Sequence, residues 1–364
     1  MDDDAGGGRR GVRATDQSVL PGLLREEYGL VLTHPALDLG GTSNLNLMVR
    51  ADGGRFVVRV YRPHVTPARL MDIQIARRAL AAAATPVPAT VPTRDHRDFT
   101  TRDDRLVEVE RFVEHEAKLD SWPRLIIGLH WLGRSHAALA NVRVGPDGRQ
   151  PVFANHVHAH QARDWTTRGT TRIRGWGASP YEHRLADRAD RLAGRVDAAE
   201  REFRGRLVEQ LVHGDYWDDN VLFRAGELAL ITDLDYLGYR PRIDDLALTL
   251  FFAASTLGRN WHDEEYLARF RRLVDAYDGG LDAPLSAAER AALPLALARQ
   301  PLWGVGRWVA LLDDERAARH HAAAAMAEVE FALRILDRLD AWQSGFAATH
   351  RGSPWPQRFR GPNR

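Results

Sequence analysis

The chain has 364 residues, 44% of them hydrophobic, no cysteine and a formal net charge of +1 at pH 7. That balance argues against nucleic acid as the main partner, because such binding draws on a basic patch. Without cysteine, disulfides, thiolate catalysis and thiolate-bound zinc are excluded.

Residues 1–15 are rich in Gly, Asp and Arg and are expected to form a disordered tail. Met1-Asp2-Asp3-Asp4 is acidic where a secretory signal is basic, and no apolar run reaches membrane-span length. A cytoplasmic protein with no membrane partner is therefore expected. Gln17 to Tyr28 read as a short helix. Strands follow at 37–39, 45–50 and 55–61, the last two joined by the hairpin turn Asp52-Gly53-Gly54. Pro67 marks a helix start, and Pro86-Val87-Pro88 stops that helix after about Ala84. Two more strands are predicted near 98–101 and 106–112.

From about Glu116 the texture turns helical. Leu125, Leu129, Leu132 and Leu139 stand at helical spacing. A Gly- and Pro-containing break spans 145–151. Helix is predicted over 181–210, then over 244–256, 263–277, 286–299, 302–312 and 315–342, with a loop and hairpin between 211 and 231. Ser286 and Glu289 fit a capping box. The expected architecture is α+β: an N-terminal lobe (16–113) built on a small antiparallel sheet, a larger and mainly helical C-terminal lobe (114–345), and a C-terminal tail (346–364).

The chemistry concentrates in residues 213–223, His-Gly-Asp-Tyr-Trp-Asp-Asp-Asn-Val-Leu-Phe. Asp215 and Asn220 flank a tight loop. Val221 to Phe223 and Leu228 to Ile231 predict a hairpin that carries Asp233, in Asp233-Leu234-Asp235, back beside Asn220. A lone Asp or Asn in a turn is ordinary. An array of this kind suits phosphoryl transfer, which needs a carboxylate to orient a hydroxyl and hard oxygens to hold Mg²⁺ on phosphates. Asp215 is the candidate catalytic residue, and Asn220 and Asp233 are the candidate metal ligands. Gly40-Gly41-Thr42-Ser43-Asn44 lies between strands and is neither a Gly-x-Gly-x-x-Gly nor a Walker loop. Its glycines still permit close approach, so Gly41, Thr42, Ser43 and Asn44 are expected at the phosphates.

Other features are less specific. His156, His158 and His160 would share a strand face, as zinc ligands can. No acidic residue adjoins them, so solvated or substrate-facing histidines are expected. Trp303, Arg307 and Trp308, with Arg163, Trp165 and Trp176, suit either a core or an acceptor pocket. Asp218 and Asp219 read equally as contacts to a cationic substrate and as solvated turn acids.

His213-Gly214-Asp215, Asn220 and Asp233-Leu234-Asp235 resemble the aminoglycoside phosphotransferase and homoserine-kinase-like family, which shares the protein-kinase fold. Asp244-Asp245-Leu246-Ala247 matches that family's downstream Asp-Leu-Ala. The resemblance covers about residues 30–260. It implies a bilobal protein-kinase-like fold and transfer of the γ-phosphoryl group of ATP, with Mg²⁺, to a hydroxyl of a small molecule such as an antibiotic, sugar or amino alcohol. A peptide Ser/Thr kinase and an inactive nucleotide-binding scaffold are the alternatives. The resemblance also implies supporting roles for His213, Asp235 and Asp245, with Asp245 bracing the catalytic loop. It places Val57 over the adenine, and the backbone of Arg111 to Val113 along the adenine edge. Arg59 stands where the family usually has a phosphate-binding lysine. The usual ion-pair partner is a Glu on the following helix, but that helix offers only Asp72, with Gln74 near the expected register.

Overall fold

The computed structural model describes residues 19–41, 44–150, 155–257 and 263–347. The expected N-terminal tail, residues 348–364 of the expected C-terminal tail, the expected helix start at Gln17, and Thr42 and Ser43 of the phosphate loop lie outside the described residues. Phe346 and Ala347, expected in the tail, instead close the last helix, with Phe346 buried.

A helical turn, α1 (Leu20–Leu23), runs into a π-helical turn over Leu24–Tyr28. Then come β1 (Leu37–Asp38), β2 (Leu45–Ala51), β3 (Gly54–Val60), β4 (Thr100–Arg102) and β5 (Arg105–Arg111). They form one antiparallel sheet in which β5 lies between β3 and β4. Strand alternation sends Leu45, Leu47, Val49, Phe56, Val58, Val60, Val107 and Val109 to one face, against Leu20, Leu23, Leu24 and Tyr28. The Tyr28 hydroxyl locks this layer by donating to the Val107 carbonyl at 2.8 Å.

The opposite face is polar. The register pairs Val57 with Glu110 and Arg59 with Glu108, so these side chains share a face. It is covered by α2 (Pro67–Ala82), which starts where Pro67 predicts. There the Thr66 hydroxyl caps the helix by accepting from the Arg69 amide at 3.0 Å. The apolar stripe of α2, Leu70, Ile73, Ala76 and Leu80, meets Tyr61 and Leu106. The same cluster takes in Leu139, Val144, Leu211, Leu234 and Leu237, an apolar seam between the sheet and the helices beyond it.

The second half is built around a large apolar core. β6 (Ala117–Lys118) pairs with β8 (Val221–Arg224), which pairs with β9 (Glu227–Ile231), and β7 (Glu209–Val212) pairs with β10 (Gly238–Pro241). The helices are α3 (Trp122–Leu139), the short α4 (Pro146–Arg149), α5 (Ala162–Gly175), α6 (Pro180–Glu200), α7 (Ile243–Leu257), α8 (Asp263–Asp278), α9 (Ala287–Arg299), the short α10 (Pro301–Gly304), α11 (Glu315–Asp337) and α12 (Leu339–Ala347). The capping box at the start of α9 is formed, with the Ser286 amide donating to Glu289 Oε2 at 2.9 Å. Among the described residues no helix is long and apolar enough to cross a membrane.

Several boundaries differ from expectation. The stretch expected to be helical from 181 to 210 leaves the α-helix at Glu200, turns once as a 3₁₀ segment, and enters β7 at Glu209. Residues 302–312 divide into α10 and a π-helical segment over Val305–Val309. The long last helix breaks at Arg338 into α11 and α12. Helix α5 was not expected at all. It packs through small and polar residues, and at Gly169 an added Cβ would lie 2.2 Å from the Val305 carbonyl oxygen.

Candidate active site

The loop after β7 is fixed from below. Gly214 has φ +83°, and a Cβ there would lie 2.1 Å from the Tyr236 carbonyl oxygen. Only glycine tolerates both conditions. The Gly214 amide donates to both oxygens of Asp245, at 3.0 and 3.1 Å. Asp245 is fully buried and also lies 3.2 Å from Nε2 of His136 and 3.2 Å from Nε2 of His156. The two histidine bonds outweigh burial and hold its carboxyl well below the usual range.

His213 is buried beside it. Its Nδ1 accepts from the Asp215 amide at 3.2 Å, so the proton sits on Nε2, which donates to the Thr232 carbonyl at 3.0 Å. Burial lowers its pKa to about 4. A neutral imidazole is thus wedged between the loop and the strand leading to Asp233.

Asp215 is 5% exposed. Its Oδ2 accepts from the Asn220 side-chain amide at 2.8 Å, and its carbonyl accepts from the same amide at 2.9 Å. The Asn155 amide donates to Oδ1. Burial, reinforced by the Asp233 charge, pushes this carboxyl well above the usual carboxylate range, against the pull of those two amides.

The hairpin β8–β9 turns through Ala225 and Gly226, at φ 51° and 82°, the left-handed pair that a two-residue hairpin turn requires. It brings Asp233 back toward Asn220, whose side-chain NH2 group is spent on the two bonds it donates to Asp215. Its amide oxygen takes no part in those bonds. Asp233 itself sits at φ 61° and is the N-cap of a 3₁₀ turn. Its Oδ1 is buried and has no hydrogen-bond donor, though Nη1 of Arg59 lies 3.7 Å away. A buried carboxylate oxygen without a donor is the kind of hard ligand that suits a small cation.

Arg59, on β3, reaches across the cleft to Thr232 Oγ1 at 3.4 Å. It is 5% exposed, and its Nε and Nη1 have no hydrogen-bond acceptor. Neither expected partner touches it. Asp72 accepts from the Gly145 and Gly148 amides at 2.9 and 2.8 Å, which bolts α2 to α4. Gln74 donates to Glu108 at 2.5 Å. The acid nearest Arg59 on its own sheet is Glu110, at 3.9 Å. Val57 shares the Arg59 face, half-buried.

The remaining expected residues divide. Gly41 is exposed in its loop. Asn44, expected at the phosphates, is 1% exposed and bonded at both ends of its side chain: it donates to Asp235 and accepts from the Arg62 amide at 3.2 Å. Its place at the entry to β2 turns it toward the Asp235 loop. The expected adenine edge is narrower than anticipated, because the Arg111 amide donates to Ala89 at 2.9 Å and the Phe112 amide to Arg55 at 3.1 Å. Both follow from β5 pairing on each side. Among the described residues the Val113 amide has no such partner.

Sequence reasoning missed His136, Asn155, Thr232 and Glu110. His136 left a signal, a polar residue on the apolar stripe of α3. Asn155 and Thr232 left none. His156 was expected to be solvated or substrate-facing and is instead buried, with Nε2 3.2 Å from Asp245 Oδ1. His158 and His160 stack on one another at 5.5 Å. Among the described residues no group of three His, Cys, Asp or Glu side chains is placed to hold a metal. Asp219 pairs with Lys118, the single lysine of the chain. Trp303 and Trp308 pack edge to face at 5.3 Å, and Arg307 lies 5.0 Å over Trp165.

Comparison with known proteins gives a consistent picture. Residues 36–283 match the phosphotransferase enzyme family (APH). A homoserine kinase of Acidiphilium cryptum (strain JF-5) is 26% identical over 290 residues, covering 75% of this chain and 81% of that protein. The microcompartment-associated aminopropanol kinase superposes with a TM-score of 0.68 at 18% identity, over 89% of this chain and 98% of that one. The amicoumacin kinase hAmiN, solved with AMP-PNP, Ca²⁺ and amicoumacin, gives 0.66 at 17% identity, over 90% and 94%. The kinase-like α+β fold follows from these superpositions.

Proposed function

We propose a reaction from the premise that this chain belongs to the phosphotransferase enzyme family and is a small-molecule phosphotransferase with an alcohol group as acceptor. The γ-phosphoryl group of ATP passes to a hydroxyl of a compact, polar acceptor of the amino-alcohol, sugar or antibiotic type. Asp215 orients that hydroxyl and takes its proton late in the transfer. Asn220 and Asp233 hold Mg²⁺, which when bound neutralises charge on the phosphates. Arg59 brings its unengaged donors to the same phosphates, and a guanidinium can grip phosphate with two donors where a lysine offers a point charge. Val57, Gly41 and the Val113 amide line the nucleotide, while His213, Asp235 and Asp245 hold the loop and the metal-side strand in place. Positioning and charge neutralisation supply most of the catalysis.

The observation that carries this reading is the meeting of Asp215, Asn220, Asp233 and Arg59 in one crevice, with the Asp233 Oδ1 atom buried and unbonded. Turnover of Mg·ATP against a panel of hydroxylated acceptors, homoserine and 1-amino-2-propanol among them, tests it. Phosphorylated acceptor is the expected product, and Asp215→Asn is expected to lower kcat by roughly 10²- to 10⁴-fold. Undiminished turnover in Asp215→Asn would remove the role given to that residue.

A further inference from the structure

The polar face of the sheet holds a charge arrangement that no reading of the helix alone supplies. Glu108 and Glu110 come from β5, and Arg77 comes from α2. Arg77 Nη2 lies 3.0 Å from Glu110 Oε1, and its Nη1 bonds Glu108. Glu108 also accepts from the Tyr61 hydroxyl at 2.6 Å and from Gln74. Glu110 Oε2 lies 3.9 Å from Arg59 Nη2. All four charged groups are buried, at 5% exposure for Arg59, 6% for Arg77, 0% for Glu108 and 2% for Glu110. The polarity between helix and sheet is therefore the reverse of the one expected: the helix brings the cation and the strand brings the acid.

Resting on the phosphotransferase reading above, we infer that Glu110 is the positioning carboxylate of Arg59 and that Arg77 ties helix α2 to the nucleotide site through it. Arg59 lies between two acids, Glu110 behind it on the sheet and Asp233 across the cleft at 3.7 Å. Glu110 draws on Nη2 from the N-terminal side against the pull of Asp233 on Nη1, and Nε and Nη1 have no hydrogen-bond acceptor and can turn to phosphate. Without it, Arg59 has Asp233 as its remaining close acid and competes with the metal there. Burial raises the pKa of Glu110, and the Arg77 and Arg59 charges oppose that shift, so a buried carboxylate here depends on its two arginines.

The test is steady-state kinetics on the full chain for Glu110→Gln, Arg59→Lys and the double variant. Thermal melts are recorded alongside. Glu110→Gln is expected to raise KM for Mg·ATP and the Mg²⁺ requirement by roughly 10- to 100-fold, the range for losing a group that orients a ligand-binding side chain. The acceptor KM stays unchanged. In the Arg59→Lys background the same substitution is expected to add little, because Glu110 acts through the guanidinium. A lowered melting temperature with an unchanged nucleotide KM, or full additivity in the double variant, overturns the inference. Arg77→Lys, which keeps the charge over Glu110, is expected to retain the nucleotide KM, whereas Arg77→Gln is expected to raise it. If Glu110→Gln does not fold, an unchanged nucleotide KM in Arg77→Gln overturns the inference instead. A wild-type chain that neither binds nor turns over Mg·ATP sinks the functional reading itself, whereas wild-type turnover with an indifferent Glu110 sinks only this one.

Discussion

Gly214 carries two demands at once: a left-handed backbone and a carbonyl oxygen 2.1 Å from where a Cβ would stand. Gly214→Ala is expected to destabilise the fold by at least ~1–2 kcal/mol and to pull the Gly214 amide from Asp245. Chemical denaturation reads the first effect and kcat the second. Asp233 carries a different demand, since its buried Oδ1 has no donor. Asp233→Asn replaces a charged oxygen by a neutral amide. Activity should then need roughly tenfold or more Mg²⁺ for half-saturation, as a metal titration of the rate would show. Equal Mg²⁺ curves for the variant and the parent chain would remove Asp233 from the metal site. Both residues were legible in the sequence because their spacing is local: His-Gly-Asp to Asn is one loop, and Asn220 to Asp233 is one hairpin. Glu110 was not, because its proximity to Arg59 depends on the register between β3 and β5, far apart in the chain.

At the scale of elements, α2 acts as a bolt between sheet and helices. Asp72 caps the amides of Gly145 and Gly148, and Arg69 donates to the carbonyls of Asp147, Gly148, Asp235 and Leu237. Asp72→Ala leaves two amides unpaired and is expected to lower stability by ~2–3 kcal/mol. It should leave the nucleotide KM within about twofold, since Asp72 does not touch Arg59. Urea denaturation together with the ATP dependence of the rate checks both parts, and a large rise in KM would restore Asp72 as the partner of Arg59. The start of α2 was readable from Pro67, and the hairpin from Ala225-Gly226, because turn and cap chemistry is local. Helix α5 was not, because Ala162, Thr166, Gly169, Thr170 and Ile173 bury a face with little apolar periodicity. Its helix is decided by how closely Gly169 approaches the 305–309 segment, which lies far along the chain.

For the whole molecule, buried histidines and buried carboxyls pull the acid response of stability in opposite directions. His213 has its pKa lowered to about 4, below the ordinary value near 6.5. Between those two pH values the unfolded chain binds a proton that the folded chain refuses, so stability falls as pH drops through that window. For His213 alone the loss is on the order of 3 kcal/mol. Burial lowers the pKa of His158 as well, to about 4, and that of His156, so they act in the same direction. Asp245 is of the other class: its depressed pKa contributes stability above the ordinary carboxylate value, and that contribution is lost only at lower pH. Other buried carboxyls oppose the histidines: burial raises the pKa of Asp215 and Glu110, and that of Glu200 and Glu328 to about 7, so the fold binds their protons first and gains stability over the same window. The histidine share is read by difference. From pH 7 to pH 4 the melting temperature of the parent chain should fall further, or rise less, than that of His213→Asn, and equal changes would show that His213 is solvated or already charged in the fold.

Lys118 pairs with Asp219 at the edge of the 215–220 loop, half of its side chain open to solvent. Every other basic side chain is an arginine or a histidine. Once the α-amino group is blocked, an amine-directed dye has a single target, and it borders the loop that carries Asp215 and Asn220. One fluorophore attached there, without any engineered handle, would report occupancy of the crevice in real time.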